Sequence, residues 1–90
     1  MLKIRYSSRF KKDFKTIVKR GYDIKLFKDV LNILVQEKVL PPKYLDHLLA
    51  GNYAGHHECH ITPDWLLIYK IERDILTLSL TRTGTHSDLF

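Results

Sequence analysis

The sequence has few of the residues that cross-link a chain or divide it into segments. Its one cysteine, Cys59, excludes an internal disulfide, whereas a secreted domain of this size normally carries several. Four glycines and three prolines among 90 residues leave little room for a disordered segment. No apolar run is long enough to cross a bilayer, and the charges at Lys3 and Arg5 are not typical of a signal peptide. We therefore expect one domain over residues 1–90, in a reducing cytoplasm.

Acidic residues are also scarce relative to basic ones. Fifteen Lys and Arg residues accompany ten Asp and Glu residues, which gives a formal net charge of +5. Ten of the bases form what we call the N-terminal basic set: Lys3, Arg5, Arg9, Lys11, Lys12, Lys15, Lys19, Arg20, Lys25 and Lys28. Such a set attracts a polyanion, either nucleic acid or an acidic protein, although a solvated helix face has the same pattern.

The apolar residues recur with clear periodicity. Alternation over residues 2–6 predicts a strand, and helical spacing over 10–18 and from 24 to about Lys38 predicts two helices joined by a turn at Gly21. Ser7 or Ser8 is predicted to cap the first helix and Asp23 the second. Residues 41–54 are predicted as a loop. Three strands joined by tight turns follow: His56–Ile61, Trp65–Ile71 and Ile75–Arg82. The fold class is therefore α+β, with an N-terminal strand, a two-helix hairpin on one face of the sheet and a three-strand antiparallel meander.

Histidines are concentrated in the second half of the chain: His47, His56, His57, His60 and His86. Imidazole titrates near neutral pH, so it can act as a general acid or base. Strand alternation places His56, Glu58 and His60 on one face and the core-like Cys59 and Ile61 on the other, which indicates that the first set faces solvent. A zinc site is the rival interpretation. It lacks paired ligand spacings, and the lone cysteine points away, so no metal is predicted.

Two further segments hold candidate site residues. After the third strand, Arg82 offers a planar fork for phosphate oxygens and His86 a group that moves protons. Phe90 offers a ring that can stack on a base, although a polar tail with an anchoring Phe is the plainer interpretation. In the turn before the second meander strand, Asp64 could orient an imidazole or simply favour the turn, and Trp65 opens a core strand.

Together these segments resemble one family. The motifs are Tyr44-x-Asp46-His47 followed by Leu49 and Gly51, His60-x-x-Pro63-Asp64-Trp65, and Arg82-x-Gly84-x-His86 followed by Leu89-Phe90. They are similar to the YafQ-type toxins of the RelE superfamily, which are ribosome-associated mRNA interferases of toxin–antitoxin modules. The predicted order of elements is also that family's. The chain departs from the pattern at Leu48, Ala54 and His57, where relatives often carry proline, a basic residue and arginine.

The resemblance implies an endoribonuclease that needs no metal or other cofactor. It implies cleavage of mRNA in the ribosomal A site, by attack of a ribose 2′-hydroxyl on the adjacent phosphate. The residues implied are His86, His60, Asp64 and His47 for catalysis, and Trp65 and Phe90 for binding the substrate. To the catalytic set we add Arg82 as our candidate for stabilising the phosphate. Among these, His86 is the leading acid or base, with His60 and His47 as candidate partners and Asp64 as an orienting or proton-accepting group.

The implied partners are mRNA, the ribosome and a cognate antitoxin with an acidic segment, held in a toxin–antitoxin hetero-oligomer. Two alternatives stay open at this point. One is a non-catalytic basic domain that binds RNA or an acidic protein, and the other is a zinc-binding domain. Charge and predicted fold fit both the enzyme and the non-catalytic binder. The set of His86, His60 and Asp64 favours the enzyme, because a protein that only binds has no need of it.

Overall fold

The chain forms three helices and five strands in a computed structural model that describes residues 1–90. In chain order they are β1 (Lys3–Tyr6), α1 (Ser8–Lys19), α2 (Ile24–Val35), β2 (His47–Leu48), β3 (His57–Thr62), β4 (Trp65–Glu72), β5 (Thr77–Gly84) and α3 (His86–Leu89). Short 3-10 turns lie at Pro42–Tyr44, Gly51–Tyr53 and Arg73–Ile75. The longest helices have 12 residues each, and no helix is both long and apolar enough to span a membrane.

The first two helices begin where the sequence predicts caps. The Ser7 side chain accepts a hydrogen bond from the Phe10 backbone, and the Asp23 side chain accepts one from the Lys25 backbone. Gly21, between the helices, has a φ of +79°, a left-handed conformation that glycine adopts without steric cost. The predicted helical hairpin is therefore confirmed, although α2 ends at Val35 instead of continuing to Lys38.

The strands form one mixed sheet in the order β1-β5-β4-β3-β2. Adjacent members of the β3-β4-β5 meander pair antiparallel, which confirms the predicted α+β class and its meander. β1 pairs parallel with β5, because the two helices carry the chain back over the sheet between them. The loop prediction for residues 41–54 is wrong at His47–Leu48, which pair with β3 as a short edge strand.

Side-chain alternation gives the sheet two apolar faces of unequal size. Leu67 and Cys59 belong to a core cluster of 15 buried residues that includes the apolar stripes of α1 and α2, and we call this side the helical face. Leu66 and Ile68 point to the other side, where Leu89 of α3 covers them. We call this side the α3 face.

The C-terminal boundaries differ most from the sequence prediction. Ile75 was predicted to open the last strand, but it ends a 3-10 turn, and Leu76 follows with a left-handed φ of +49°. The strand instead runs from Thr77 to Gly84, so Arg82 lies within it. The predicted polar tail is helix α3. Thr85 caps this helix reciprocally with Asp88.

Candidate active site

A buried carboxylate lies between two histidines on the α3 face. The register places His47 of β2 opposite Glu58 of β3, and His60 follows two residues later on the same face. Glu58 Oε1 lies 3.5 Å from His47 Nε2 and 4.0 Å from His60 Nε2. Glu58 is 7% exposed and its Oε2 has no hydrogen-bond partner, so its predicted solvent orientation is wrong. A buried carboxylate oxygen left unpaired is costly, and such groups concentrate at functional sites.

The backbone orients His47. Its Nδ1 lies 2.9 Å from the Leu45 carbonyl oxygen, which can only accept, so Nδ1 carries a hydrogen. Nε2 then faces the Glu58 carboxylate. Both ring nitrogens therefore face acceptors, an arrangement that suits an imidazolium able to give up a proton.

His86 and Phe90 stand together at the C-terminus. His86 is exposed at the start of α3, and its ring centroid lies 5.2 Å from that of Phe90. Phe90 is 58% exposed and also contacts Tyr53, at 6.2 Å between ring centroids. An imidazole and a largely exposed aromatic ring at this spacing can act on one nucleotide, because the first moves a proton while the second stacks on a base.

A salt bridge fixes the turn that bears His86. Arg20 of α1 donates two hydrogen bonds to Asp88, at 2.6 and 3.0 Å, and Asp88 also accepts one from the Thr85 backbone. Hydrogen bonding from Arg20 and Thr85 holds the pKa of Asp88 well below its usual range. Gly84 is required beside this turn, since a Cβ there would lie 2.9 Å from the Asp88 side chain.

Arg82 is tied to α1 in a similar way. Its guanidinium donates to both carboxylate oxygens of Asp13, at 2.7 and 3.2 Å, and only 11% of the Arg82 side chain is exposed. Hydrogen bonding to Asp13 raises the pKa of Arg82 further above its usual range. Its role at phosphate stays a prediction. Asp13 occupies two of the guanidinium's N–H donors, which leaves only the remaining donors for a ligand.

The turn residues Asp64 and Trp65 have different positions. Asp64 is exposed and makes no hydrogen bond to a histidine, but it lines one depression with Pro63 and His86. Trp65 is 1% exposed and its indole donates to Thr83 Oγ1 at 2.8 Å. Its ring therefore belongs to the core, and its assignment to substrate binding stays a prediction.

The candidate residues form two groups separated by an apolar strip. His60 of β3 pairs with Leu66 of β4, which pairs with Gly84 of β5, two residues before His86. Neighbouring strands lie ~4.8 Å apart, so the His60 and Gly84 backbones are about 10 Å apart. The His47–Glu58–His60 group and the His86–Phe90 group thus flank Leu66 on the α3 face.

The helical face holds a second polar network. His57 Nδ1 lies 3.2 Å from Asp46, which also accepts a hydrogen bond from Tyr69 at 2.5 Å. Burial and this bond raise the pKa of Tyr69. Cys59 is fully buried on the same face, and burial raises the pKa of its thiol. Since His60 is the next residue of the same strand, its side chain lies on the opposite face from Cys59.

Three contributors to the site were not predicted from sequence: Glu58, Asp13 and Asp88. Glu58 carried a signal, because it alternates with His56 and His60 in one strand. Asp88 carried one too, since Thr85-x-x-Asp88 has the spacing of a capping box. Asp13 pairs with a residue 69 positions away, and the only hint was an acid within a basic helix.

Comparison with known proteins identifies the family. The model of the YafQ toxin family, bacterial toxins of type II toxin–antitoxin systems, matches residues 2–90. The Escherichia coli K12 mRNA interferase toxin YafQ is 40% identical over 88 residues, covering 97% of this chain and 94% of that protein.

Solved structures agree with the family match. A metal-bound toxin from Helicobacter pylori is 48% identical, with a TM-score of 0.94 and 100% of both chains covered. A chain of the E. coli DinJ–YafQ complex is 38% identical, with a TM-score of 0.90, covering 100% of this chain and 99% of that one. The resemblance noted from the motifs is thereby confirmed, and the chain belongs to the YafQ family of toxins of type II toxin–antitoxin systems.

Proposed function

We propose that this chain is an endoribonuclease that cuts mRNA on the ribosome without a metal ion. The supporting observation is that the histidines form two clusters. In one, His47 and His60 lie on either side of Glu58, and in the other, His86 lies beside Phe90. A phosphodiester that reaches from one group to the other has a proton-transfer group on each side. The related E. coli protein is named an mRNA interferase toxin.

The reaction needs a general base, a general acid and positive charge at the phosphate. One imidazole takes the proton from the ribose 2′-hydroxyl as the 2′-oxygen bonds to phosphorus, and a second gives a proton to the departing 5′-oxygen. The products are a 2′,3′-cyclic phosphate and a free 5′-hydroxyl. His86 serves as one of these groups, and His60 with His47 serves as the other, while Glu58 stabilises positive charge on them.

The remaining site residues have supporting roles. Arg82 supplies positive charge to the phosphate through the donors that Asp13 leaves free, and Phe90 stacks on a base beside His86. Asp64, which shares a depression with His86, accepts or relays a proton there. None of these steps requires a Lewis acid. The lone cysteine lies on the opposite face from Glu58, which leaves an incomplete ligand set for structural zinc.

The test is cleavage of mRNA on purified ribosomes, with the product ends identified. Wild type should leave 2′,3′-cyclic phosphate and 5′-hydroxyl ends, and His86→Ala should cut the message at least about 100-fold more slowly. Cleavage should survive chelator at concentrations that keep ribosomes assembled. Since a structural relative from H. pylori is described as metal-bound, loss of cleavage with chelator and its return with zinc would overturn the metal-free reaction. If folded wild-type protein cuts no message, the proposed enzyme is wrong and the non-catalytic binding domain is the interpretation that remains.

We also infer a cognate antitoxin with an acidic segment. All ten residues of the N-terminal basic set are exposed, and only Arg5, Arg20 and Lys25 form ion pairs. The unpaired bases on α1 and beside it form a positive surface that a disordered acidic tail can wrap. The related E. coli YafQ forms a complex with DinJ.

Co-expression with the product of the adjacent small open reading frame tests this partnership. A tag on one protein should recover both at low salt, and high salt should weaken their association because opposite charges are screened. If the neighbour does not co-purify and leaves growth inhibition unchanged, the proposed partnership is wrong.

A further inference from the structure

A cleft beside His60 has no role in the reaction described above. It has a volume of about 490 Å³ and lies between the Lys43–Leu45 segment and the turn after β3. His60 lines this cleft and also approaches Glu58, so the cleft opens directly beside the candidate active site.

The lining of the cleft combines apolar, aromatic and cationic groups. Tyr44 is half-buried, Leu45 is 60% exposed, and Pro63 of the β3–β4 turn also lines the cleft. Lys43 places its Nζ 5.0 Å from the centroid of the Tyr44 ring. No acidic side chain lines the cleft. Flat apolar walls suit a planar base, and a flexible ammonium suits the phosphate attached to it.

The backbone at Leu45 connects this cleft to the active site. Leu45 has a left-handed φ of +50°, which is uncommon for a residue with a bulky side chain. Such strain persists where the surrounding structure enforces it, and it concentrates at functional sites. The Leu45 carbonyl holds His47 Nδ1, while its side chain stays exposed in the cleft. One residue thus orients a candidate proton donor and forms a wall of the neighbouring cleft.

We propose that the cleft is a subsite for one nucleotide flanking the cleaved bond, with its base against Tyr44, Leu45 and Pro63 and its phosphate on Lys43. The proposal rests on the proposed cleavage of mRNA and adds a determinant of cleavage position. The occupant is unpaired RNA, because only a base released from a duplex can lie between side chains in this way. Lys43 swings off the Tyr44 ring when the base stacks there.

The test uses ribosome-bound messages in which single nucleotides near the cleaved bond are replaced by abasic ribonucleotides. For wild type, loss of one particular flanking base should raise KM about tenfold, with kcat little changed, as expected for losing a stacked base. Leu45→Asn removes the apolar wall while keeping a residue that tolerates the left-handed conformation. This variant should raise KM about fivefold on the intact message and be insensitive to the same abasic position.

Two matched controls separate the subsite from general effects. Val39→Asn changes another exposed apolar residue, outside the cleft, and should behave as wild type. Lys43→Gln should raise KM and reduce its dependence on salt, whereas Lys38→Gln, also exposed and outside this cleft, should not. An unchanged KM for Leu45→Asn, or unchanged sensitivity to the abasic position, would overturn the subsite and leave the proposed cleavage standing. Absence of cleavage by wild type would overturn both.

Discussion

On the helical face of the sheet, the Asp46 carboxylate is shared between His57 and the Tyr69 hydroxyl, at 3.2 and 2.5 Å. On the α3 face, Glu58 lies at 3.5 Å or more from His47 and His60, and one of its oxygens has no partner. Each carboxylate therefore lies beside imidazoles, those of His57 and His60 on β3 and that of His47 on the adjacent strand β2. The difference is that the first is satisfied within the fold, whereas the second retains bonding capacity for a ligand.

The two faces also differ in how many apolar residues they bury. The core cluster on the helical face has 15 buried residues, whereas the cluster on the α3 face has three. Most of the free energy from burying apolar surface therefore comes from the helical face. Substitutions on the α3 face therefore affect folding less. We infer that the helical face determines stability and that the α3 face determines activity.

The largest effect is expected at His86 on the α3 face. His86→Ala should reduce cleavage about 100-fold to 10,000-fold, because it removes a group that transfers a proton in the reaction. Because His86 is exposed, the substitution should leave the free energy of unfolding almost unchanged. Ribosome-based cleavage rates and urea denaturation measure the two quantities. The matched control, His57→Ala on the helical face, should keep the cleavage rate. Equal losses from both histidines would remove the distinction between the faces.

Trp65 provides the opposite test, on the helical face. Trp65→Ala should lower the free energy of unfolding by about 3–5 kcal/mol, because it empties a fully buried site. Trp65→Phe should cost less and give a protein folded well enough for kinetics. The KM of the Trp65→Phe protein for message should equal that of wild type, since the Trp65 ring is buried. A raised KM with unchanged stability would return Trp65 to the substrate site.

Glu58 is expected to have an intermediate effect. Glu58→Gln keeps the shape but removes the charge that stabilises a protonated His47 or His60, so cleavage should fall roughly tenfold to 100-fold. Stability should stay constant or rise, because an unpaired buried carboxylate oxygen is lost. Asp46→Asn is the matched change on the helical face, and it should lower stability with little effect on cleavage. If Glu58→Gln destabilises the fold and leaves cleavage intact, Glu58 has a structural role.

Local patterns predicted much of this fold. The caps at Ser7 and Asp23 and the meander were all visible in short windows, because their determinants lie within a few residues of each other. The parallel pairing of β1 with β5 was not, since it joins residues 74 positions apart, such as Lys3 and Thr77. β2 has only two residues, too few for a periodic pattern.

The candidate site was predictable in its residue types but not in its pairings. The motifs identified His47, His60 and His86, whose side chains lie on or beside the α3 face. They also identified Trp65, whose place in an apolar run already indicated a core position. The partner of Arg82 depends on how α1 crosses the sheet, which no local pattern records. Polar side chains paired across distant elements are therefore the part that needed three-dimensional structure.

The smallest effect is expected at Asp88, which joins α3 to α1. Its pKa is lower in the folded protein than in the unfolded chain, where it is about 3.9, so its contribution to stability is complete above that pH. The contribution is lost as pH falls towards the folded value. Asp88→Asn should therefore lower Tm by a few degrees at pH 7, with the difference from wild type shrinking below about pH 4. It should also lower kcat modestly, because α3 holds His86. Asp29→Asn, at an exposed ion pair on α2, is the control and should leave kcat unchanged. A Tm difference that persists at low pH would show that Asp88 acts through capping alone, without its charge.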